Sequence, residues 1–211
     1  MKNIDNECLR RIIAETIAEF ERTPFVPILV SNRHAHLSAG DVEALFGTGY
    51  RLTYIKELLP GQFACRETVN ISGAKGTLEN VRILAPPRNK TQVELSLTDS
   101  FKLGISLPVN ESGNLAGAGL VTIINPLNSS SIERQCAIVA KRHIHLSPAF
   151  AKKYALRDRQ SVSVEINSPR GTILKDVFLR VSKDFRDEMH IDTDEANAGL
   201  IKNGDIGRIL V

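Results

Sequence analysis

The chain has 211 residues, with 27 Lys and Arg against 24 Asp and Glu, so its formal net charge is only +3. Because 42% of the residues are apolar and 24% are charged, the composition is that of a folded globular protein and excludes a disordered chain. No apolar run approaches the roughly 20 residues of a membrane helix, and the scattered basic residues and absence of Trp argue against a nucleic-acid partner.

The first predicted element is an amphipathic helix within residues 1–20. Asp5 is its expected N-cap, and Pro24 and Pro27 end it before the next apolar run. The apolar side chains that share one half of this helix are Cys8, Leu9, Ile12, Ile13, Ile17 and Phe20. Such a helix either packs on its own domain or docks into a groove on another protein. A membrane-surface role is disfavoured because the polar face carries charges of both signs.

The same segment does not have the character of a secretory signal, because charged residues recur every few positions. The three cysteines, Cys8, Cys65 and Cys136, are far apart and form no CxxC motif. This spacing argues against a disulfide framework or a zinc site made only of cysteines. We therefore expect a protein of the reducing cytoplasm.

After Pro27 the chain is rich in short apolar or alternating segments separated by Gly, Pro and Asn. This pattern predicts a mainly-β fold built from small barrels or a sandwich. Short helices are expected after Ser38, after Ser147 with Pro148 at the first helical position, and near residues 99–105 and 194–201.

The chain contains an internal repeat, in which the R-H-x-H-L-S motif occurs twice. Three pairs of segments recur in the same order: 33–38 with 142–147, 76–78 with 171–173, and 98–99 with 193–194. We infer two homologous strand-rich modules that face each other across a pseudo-two-fold axis, each opening with this motif.

Four of the five histidines fall in the two repeated H-x-H pairs, His34 with His36 and His143 with His145. On a strand, side chains at i and i+2 project from the same face, so each pair offers two imidazoles to one point. Imidazole ligands without a thiolate cluster favour zinc among the metals.

A third ligand for each pair follows from the repeat. Glu94 and His190 each lie three or four residues before the repeated Thr-Asp. Two three-ligand sites would leave room for substrate, which is typical of catalytic metal centres. Arg88 follows two prolines, six residues before Glu94, and its guanidinium suits a bidentate grip on phosphate or carboxylate near a metal. The alternative for Arg88 is a solvated charged face.

Seven segments, in order and at suitable spacing, resemble the PduL family of phosphate acyltransferases, which are associated with bacterial microcompartments. They are VSNRHAHLS, PGQFACRETV, KGTLENVRIL, RNKTQVELSLTD, ESGNLAG, AKRHIHLSP and EMHIDTDEANAG. The resemblance covers nearly the whole chain. Two departures are Leu97, where the family more often has Arg, and Asn114, where Asp is common.

The resemblance implies a mainly-β fold of two small β-barrel domains capped by short helices. The expected boundaries are an N-terminal targeting helix and joint at 1–22, one barrel from 23–32 with 141–211, and a second barrel from 33–140. It also implies that residues 1–20 form an encapsulation peptide, which docks the enzyme onto shell proteins inside a cytoplasmic microcompartment. A homodimer is expected from the family.

The resemblance further implies two zinc ions. By similarity, His34, His36 and Glu94 hold one ion close to the thioester sulfur of coenzyme A, and His143, His145 and His190 hold the second. The positions similar to those that contact coenzyme A are Val30, Ser31, Asn32, Lys75, Arg82 and Asn197, and Arg88 matches the residue that grips phosphate.

The implied reaction is acyl-CoA + phosphate ⇌ acyl phosphate + CoA, with a propanoyl or acetyl group. In this mechanism the metal ions polarise the thioester carbonyl and Arg88 orients phosphate for direct attack. Two alternatives stay open at the level of sequence. One is a dinuclear zinc hydrolase of thioesters or phosphoesters, and the other is a non-enzymatic scaffold of the shell lumen in which zinc is structural.

Overall fold

A computed structural model describes residues 6–210 of the chain, apart from the side chain of Leu59. Within this range the fold is mainly β, as the sequence predicts. The helices are α1 (Asn6–Arg22), α2 (Ala39–Phe46), α3 (Leu97–Leu103), α4 (Pro148–Lys153) and α5 (Thr193–Gly199). The strands are β1 (Phe25–Ser31), β2 (His34–Ser38), β3 (Tyr54–Leu59), β4 (Gln62–Ser72), β5 (Thr77–Arg88), β6 (Gln92–Glu94), β7 (Val109–Asn110), β8 (Gly119–Ile124), β9 (Ser131–Ala140), β10 (His143–Leu146), β11 (Ser161–Ile166), β12 (Thr172–Val181), β13 (Glu188–Asp192) and β14 (Ile206–Leu210).

Six strands form a closed barrel in the order β1, β13, β10, β12, β11 and β14. The period-2 pattern of β11 shows why these segments become strands, since Val162, Val164 and Ile166 are buried and the residues between them are not. Strand β10 pairs in parallel with β12, and β11 pairs antiparallel with β12 and β14. The second H-x-H pair therefore lies on a strand of a closed barrel.

The other strands form a second sheet in the order β3, β4, β5, β2, β6, β9 and β7. Strand β8 pairs with both β4 and β9, so the pairings of β4, β5, β2, β6, β9 and β8 close a ring. Its core contains Leu37, Val69, Ile83 and Val93, each with no exposed surface. Burial of a side chain of this size stabilises the fold by about 1.5–3 kcal/mol. Strand β2, which carries the first H-x-H pair, lies between β5 and β6.

By its internal contacts the chain divides into two compact units. One contains the described residues up to Leu29, His143–Met189 and the described residues from Gly199 onward. The other contains Val30–Arg142 and His190–Ala198. The boundaries between the units fall within β1, β13 and α5 and in the loop before β10.

The expected short helices are present, and those after Ser38 and Ser147 begin as predicted. Helices α3 and α5 begin two residues and one residue before the segments expected for them. Ser38 and Ser147 are the N-caps of α2 and α4, and Pro148 is the first residue of α4. Helix α3 has a capping box in which Ser96 and Asp99 bond reciprocally. The strand β3 was not expected from the sequence. It is an edge strand with irregular register, and its apolar residues Tyr54, Ile55 and Leu58 are all exposed, so they show no alternation between a core and a solvent face.

The predicted amphipathic helix is α1, which ends at Arg22, while its expected N-cap at position 5 lies outside the described residues. No residue of α1 is buried. Its large apolar side chains are exposed, from 46% at Leu9 to 64% at Phe20, and Cys8 is intermediate. None of the helices within residues 6–210 combines the length and the apolar character needed to cross a bilayer.

Candidate active site

The first group of candidate metal ligands lies where β2 pairs with β5 on one side and with β6 on the other. Alternation along β2 places His34 and His36 on one face, and the antiparallel register puts Glu94 directly opposite His34. The ligand atoms of these three side chains all lie within 4.8 Å of one another. The structure thus brings together the His34, His36 and Glu94 set expected from the sequence.

The imidazole of His34 is oriented by the backbone. Its Nδ1 lies 2.8 Å from the carbonyl oxygen of Asn32, and since a carbonyl can only accept, Nδ1 must carry the proton. In the neutral ring the lone pair is then on Nε2, which lies 3.4 Å from Oε2 of Glu94. A hydrogen bond of this kind on the far nitrogen is the usual way in which a metal-binding histidine is held.

The carboxylate of Glu94 is held by two side chains. Its Oε1 accepts hydrogen bonds from Nε2 of Gln92 at 2.6 Å and from Oγ of Ser112 at 2.8 Å. The other oxygen, Oε2, faces His34. The carboxylate is therefore arranged to bind a metal ion through one oxygen.

Both kinds of ligand have the protonation state that a metal requires. Burial, followed by the nearby charges of His34 and Arg88, lowers the pKa of His36 to about 2, so its imidazole is neutral near pH 7. Burial alone would raise the pKa of Glu94, but His34, His36, the Ser112 hydrogen bond and Arg88 lower it to about 2. Neutral imidazole and ionised carboxylate are the ligating forms.

The two donor sets fit zinc. Two histidines with one glutamate, and three histidines, are both ligand sets of catalytic zinc sites that keep a fourth position for water or substrate. Zinc bonds of about 2.0–2.2 Å at tetrahedral angles separate neighbouring ligand atoms by roughly 3.3–3.6 Å. The 3.4 Å between His34 Nε2 and Glu94 Oε2 matches that separation.

The second group consists of His143 and His145 on β10 with His190 on β13, neighbouring strands of the closed barrel. Their ligand atoms also lie within 4.8 Å of one another. The ring of Phe185 stacks on His145, with centroids 3.9 Å apart and an interplanar angle of 13°. The guanidinium of Arg180 lies 5.5 Å from the centre of the Phe185 ring, a cation–π distance.

Arg88, the expected phosphate-binding residue, is the last residue of β5 and lies opposite Ser38 in the register with β2. Its Nη1 donates to Oγ of Ser112 at 3.2 Å. The same hydroxyl donates to Glu94, so one serine connects the guanidinium with the carboxylate of the candidate metal site.

The residues expected at coenzyme A lie at the end of β1, in the turn after β4, within β5 and on α5. Arg82 is opposite His34 on β5 and donates to the carbonyl oxygens of Cys65 and Arg66 at 2.9 and 2.8 Å. Lys75 is exposed in the turn between β4 and β5. Val30 and Ser31 end β1, Asn32 follows them, and Asn197 is exposed on α5.

Three side chains near the ligands were not assigned a role from the sequence: Gln92, Ser112 and Phe185. Gln92 stands two positions before Glu94, so period-2 alternation could have indicated it. Ser112 and Phe185 lie in loops, and only the folded chain shows their contacts with Glu94 and His145.

Comparison with known proteins gives a consistent result. Residues 27–202 match the family described as phosphate propanoyltransferase. A phosphate propanoyltransferase of Thermotoga maritima is 47% identical over 196 residues, which are 92% of this chain and 93% of that protein. One from Lachnoclostridium phytofermentans is 45% identical over 214 residues and the match covers both chains completely.

A phosphate propanoyltransferase of Priestia megaterium is 46% identical over 209 residues, which cover 97% of this chain and 96% of that protein. The family indicated by the sequence motifs is thereby confirmed. A match of this length and identity extends over both H-x-H pairs and over Glu94, Ser112 and His190. This chain is therefore an acyltransferase that belongs to the phosphate propanoyltransferase family.

Proposed function

We propose that this enzyme transfers a propanoyl or acetyl group between coenzyme A and inorganic phosphate. The observation that carries the proposal is the hydrogen-bonded line from Arg88 through Ser112 to Glu94. It puts a guanidinium, which suits phosphate, next to a metal-ligand set that suits a thioester. The names of the relatives, all phosphate propanoyltransferases, agree with this reaction.

In this proposal two zinc ions are bound. His34, His36 and Glu94 would hold one, and His143, His145 and His190 the other, because both sets are already clustered. When bound, zinc would polarise the thioester carbonyl and favour the departing thiolate.

Arg88 would bind phosphate and orient it for direct attack on the thioester carbonyl carbon. A covalent acyl-cysteine is disfavoured at the two buried cysteines, since burial raises the pKa of Cys65 to about 11 and that of Cys136 to about 12. Both thiols are therefore protonated near pH 7 and are poor nucleophiles.

Coenzyme A carries several phosphate groups, so its binding calls for cations and for hydrogen-bonding groups. We assign this role to Lys75 and Arg82 as cations, and to the positions Val30, Ser31, Asn32 and Asn197.

For the setting of the enzyme, we propose a bacterial microcompartment in the cytoplasm, reached through residues 1–20. The exposed apolar face of α1 supports a helix that docks on shell proteins rather than on its own domain. We also propose a homodimer, and domain boundaries at 1–22, at 23–32 with 141–211, and at 33–140.

A thiol-release assay tests the proposed reaction. The purified enzyme would be given propanoyl-CoA or acetyl-CoA with and without phosphate, and its zinc content would be measured before and after chelation. We expect thiol release that needs phosphate and stops on chelation, with zinc restoring it.

Two results would contradict the proposal. Release of free acid without phosphate would show a zinc hydrolase. Bound zinc with no turnover under any of these conditions would show a structural role for the metal.

A further inference from the structure

The side chains around Glu94 form a closed hydrogen-bonding unit of four residues: Arg88, Gln92, Glu94 and Ser112. A serine hydroxyl has one proton to donate and two lone pairs to accept with. In Ser112 all three are used, because Oγ donates to Glu94 at 2.8 Å and accepts from Gln92 at 2.9 Å and from Arg88 at 3.2 Å. The position of this hydroxyl is therefore determined on every side.

Gln92 fixes the same unit from the strand. It is only 2% exposed, and its Oε1 accepts the backbone N–H of Gly113 at 2.7 Å. This bond defines which end of the amide carries the nitrogen. Its two N–H groups then point to Glu94 and to Ser112. Gly113 has φ of 99°, a conformation that strongly favours glycine, so the loop can present this N–H to Gln92.

Two consequences follow for the chemistry of the site. With Oε1 of Glu94 saturated, Oε2 is the oxygen left facing His34, 3.4 Å away. The bond from Arg88 to Ser112 also restrains the guanidinium before any anion arrives, which lowers the entropic cost of binding phosphate.

We propose that Ser112 is a positioning residue for two neighbouring sites. It directs Oε2 of Glu94 towards the metal, and it holds Arg88 in place for phosphate. Gln92 supports the metal side of this arrangement. The inference deepens the proposed function and rests on it for the phosphate half, whereas the metal half stands on the contacts of Glu94 alone.

The test replaces Ser112 with Ala in the full-length protein loaded with zinc. Zinc release to a competing chromophoric chelator is measured as a function of chelator concentration. Partners that orient a ligand are typically worth 10- to 100-fold in metal affinity. We therefore expect Ser112→Ala to bind one of its two zinc equivalents about 10- to 100-fold more weakly than the wild type does. The affinity for the other equivalent should be unchanged.

A kinetic readout separates positioning from general destabilisation. With zinc saturating, Ser112→Ala should raise the phosphate KM about 3- to 10-fold, the factor that one hydrogen bond ordinarily contributes, and leave the acyl-CoA KM unchanged. Ser112→Thr, which retains the hydroxyl, should restore both properties. Gln92→Met, which removes the other donor to Glu94, should loosen the same zinc equivalent with a smaller change in phosphate KM.

Ser100→Ala is the matched control, because Ser100 is 2% exposed and its Oγ donates to the carbonyl of Leu97 at 2.7 Å. It loses a hydroxyl and a hydrogen bond away from Glu94, and should keep both zinc equivalents and the phosphate KM. The inference would be overturned if Ser112→Ala and Gln92→Met retained zinc as the wild type does. It would also be overturned if Ser100→Ala lost as much zinc affinity as Ser112→Ala. Absence of phosphate-dependent turnover in the wild type would instead refute the proposed function, and the zinc arm would still decide the role of Ser112.

Discussion

At the scale of single residues, the decisive feature is the carboxylate of Glu94, which is mostly but not fully buried and stays charged. Burial opposes ionisation of Glu94, but two imidazoles, a serine hydroxyl and a nearby guanidinium favour it and lower its pKa to about 2. The same environment keeps His36 neutral. The site is therefore electrostatically prepared for a cation between the ligands and for an anion beside Arg88.

Replacing Arg88 with Ala tests the anion half of that arrangement. Hydrogen bonds to a charged group are worth about 1.5–3 kcal/mol, so we expect the phosphate KM to rise, or kcat to fall, about 10- to 100-fold. Acyl-CoA binding should be largely retained. Steady-state kinetics with each substrate varied in turn measures this.

The charge-matched control is Arg51→Ala, which removes an exposed arginine between α2 and β3. It should behave as wild type. Unchanged phosphate kinetics in Arg88→Ala would remove Arg88 from the mechanism.

At the scale of elements, helix α2 is tied to the strands around it by a buried carboxylate. Asp41 accepts a short hydrogen bond from Thr91, which precedes β6, and pairs with Arg134 of β9 at 2.6 Å. Thr91 in turn accepts the backbone N–H of Ser38 at 2.9 Å. Burial would raise the pKa of Asp41, but the hydrogen bonds from Arg134 and Thr91 hold it below its usual value. The end of β2 and the start of β6, which carry the ligands, are thus joined through α2.

Asp41→Asn should lower the free energy of unfolding at pH 7 by about 1.5–3 kcal/mol, the contribution of hydrogen bonds to a charged group. Because the folded pKa of Asp41 is depressed, its stabilisation is complete above the unfolded pKa of about 3.9 and is lost as pH falls through the folded pKa. The difference between wild type and variant should therefore shrink in acid.

Urea unfolding of metal-free protein at pH 7, 5 and 3.5 measures this difference. The control is Asp184→Asn, at an exposed aspartate, which should show a small effect at every pH. A difference for Asp41→Asn that does not change with pH would show that the charge of Asp41 contributes nothing.

Helix α1 differs from every other helix in having no buried residue. Replacing an apolar residue of α1 should not change folding stability, since the effects of surface substitutions usually stay within about 0.5 kcal/mol. We expect Ile13→Glu, at a position 49% exposed, to abolish co-purification with shell proteins while the urea midpoint and turnover stay unchanged.

Glu15→Gln, on the polar face, is the control and should keep the interaction. Removal of residues 1–20 should reproduce the effect of Ile13→Glu. An inactive or insoluble truncation would favour a helix packed on its own domain.

At the scale of the whole molecule, both R-H-x-H-L-S motifs form the same local structure. Each gives a strand that pairs in parallel with a longer strand, and each ends in a serine that caps a short helix. The backbone N–H of that serine is bound in both cases, by Thr91 for Ser38 and by Asp187 for Ser147. The internal duplication that would explain this stays a prediction.

Strands β2 and β10, which carry the two H-x-H pairs, are held by backbone pairing with their neighbouring strands. We therefore expect His143→Ala to bind one zinc equivalent fewer and to lose about 100-fold or more in turnover, the effect of removing one electrostatic stabiliser. The metal-free wild type and the metal-free His143→Ala variant should have nearly the same circular dichroism spectrum and the same urea midpoint. Loss of cooperative unfolding in His143→Ala would instead support the structural-zinc scaffold.

Much of this protein could be predicted from its sequence. Short alternating segments specify strands locally, the repeated H-x-H pairs specify two imidazoles on one face, and serine before a helical segment specifies a cap. The internal repeat indicates the third ligands Glu94 and His190, and the place of Arg88 six residues before Glu94 indicates an anion-binding residue. These features depend on neighbours within a few residues, so the sequence is enough to see them.

The tertiary structure decided what depends on residues far apart in the chain. The register of β2 with β6 puts Glu94 opposite His34, 60 positions earlier in the sequence. The contacts of Ser112 with Glu94 and Arg88 depend on how its loop folds, so the sequence alone did not predict them. Likewise, the pattern of α1 showed an apolar face, but only the fold showed it unburied. Long-range pairing is selected by the packing of the whole core, and that information is not contained in any local segment.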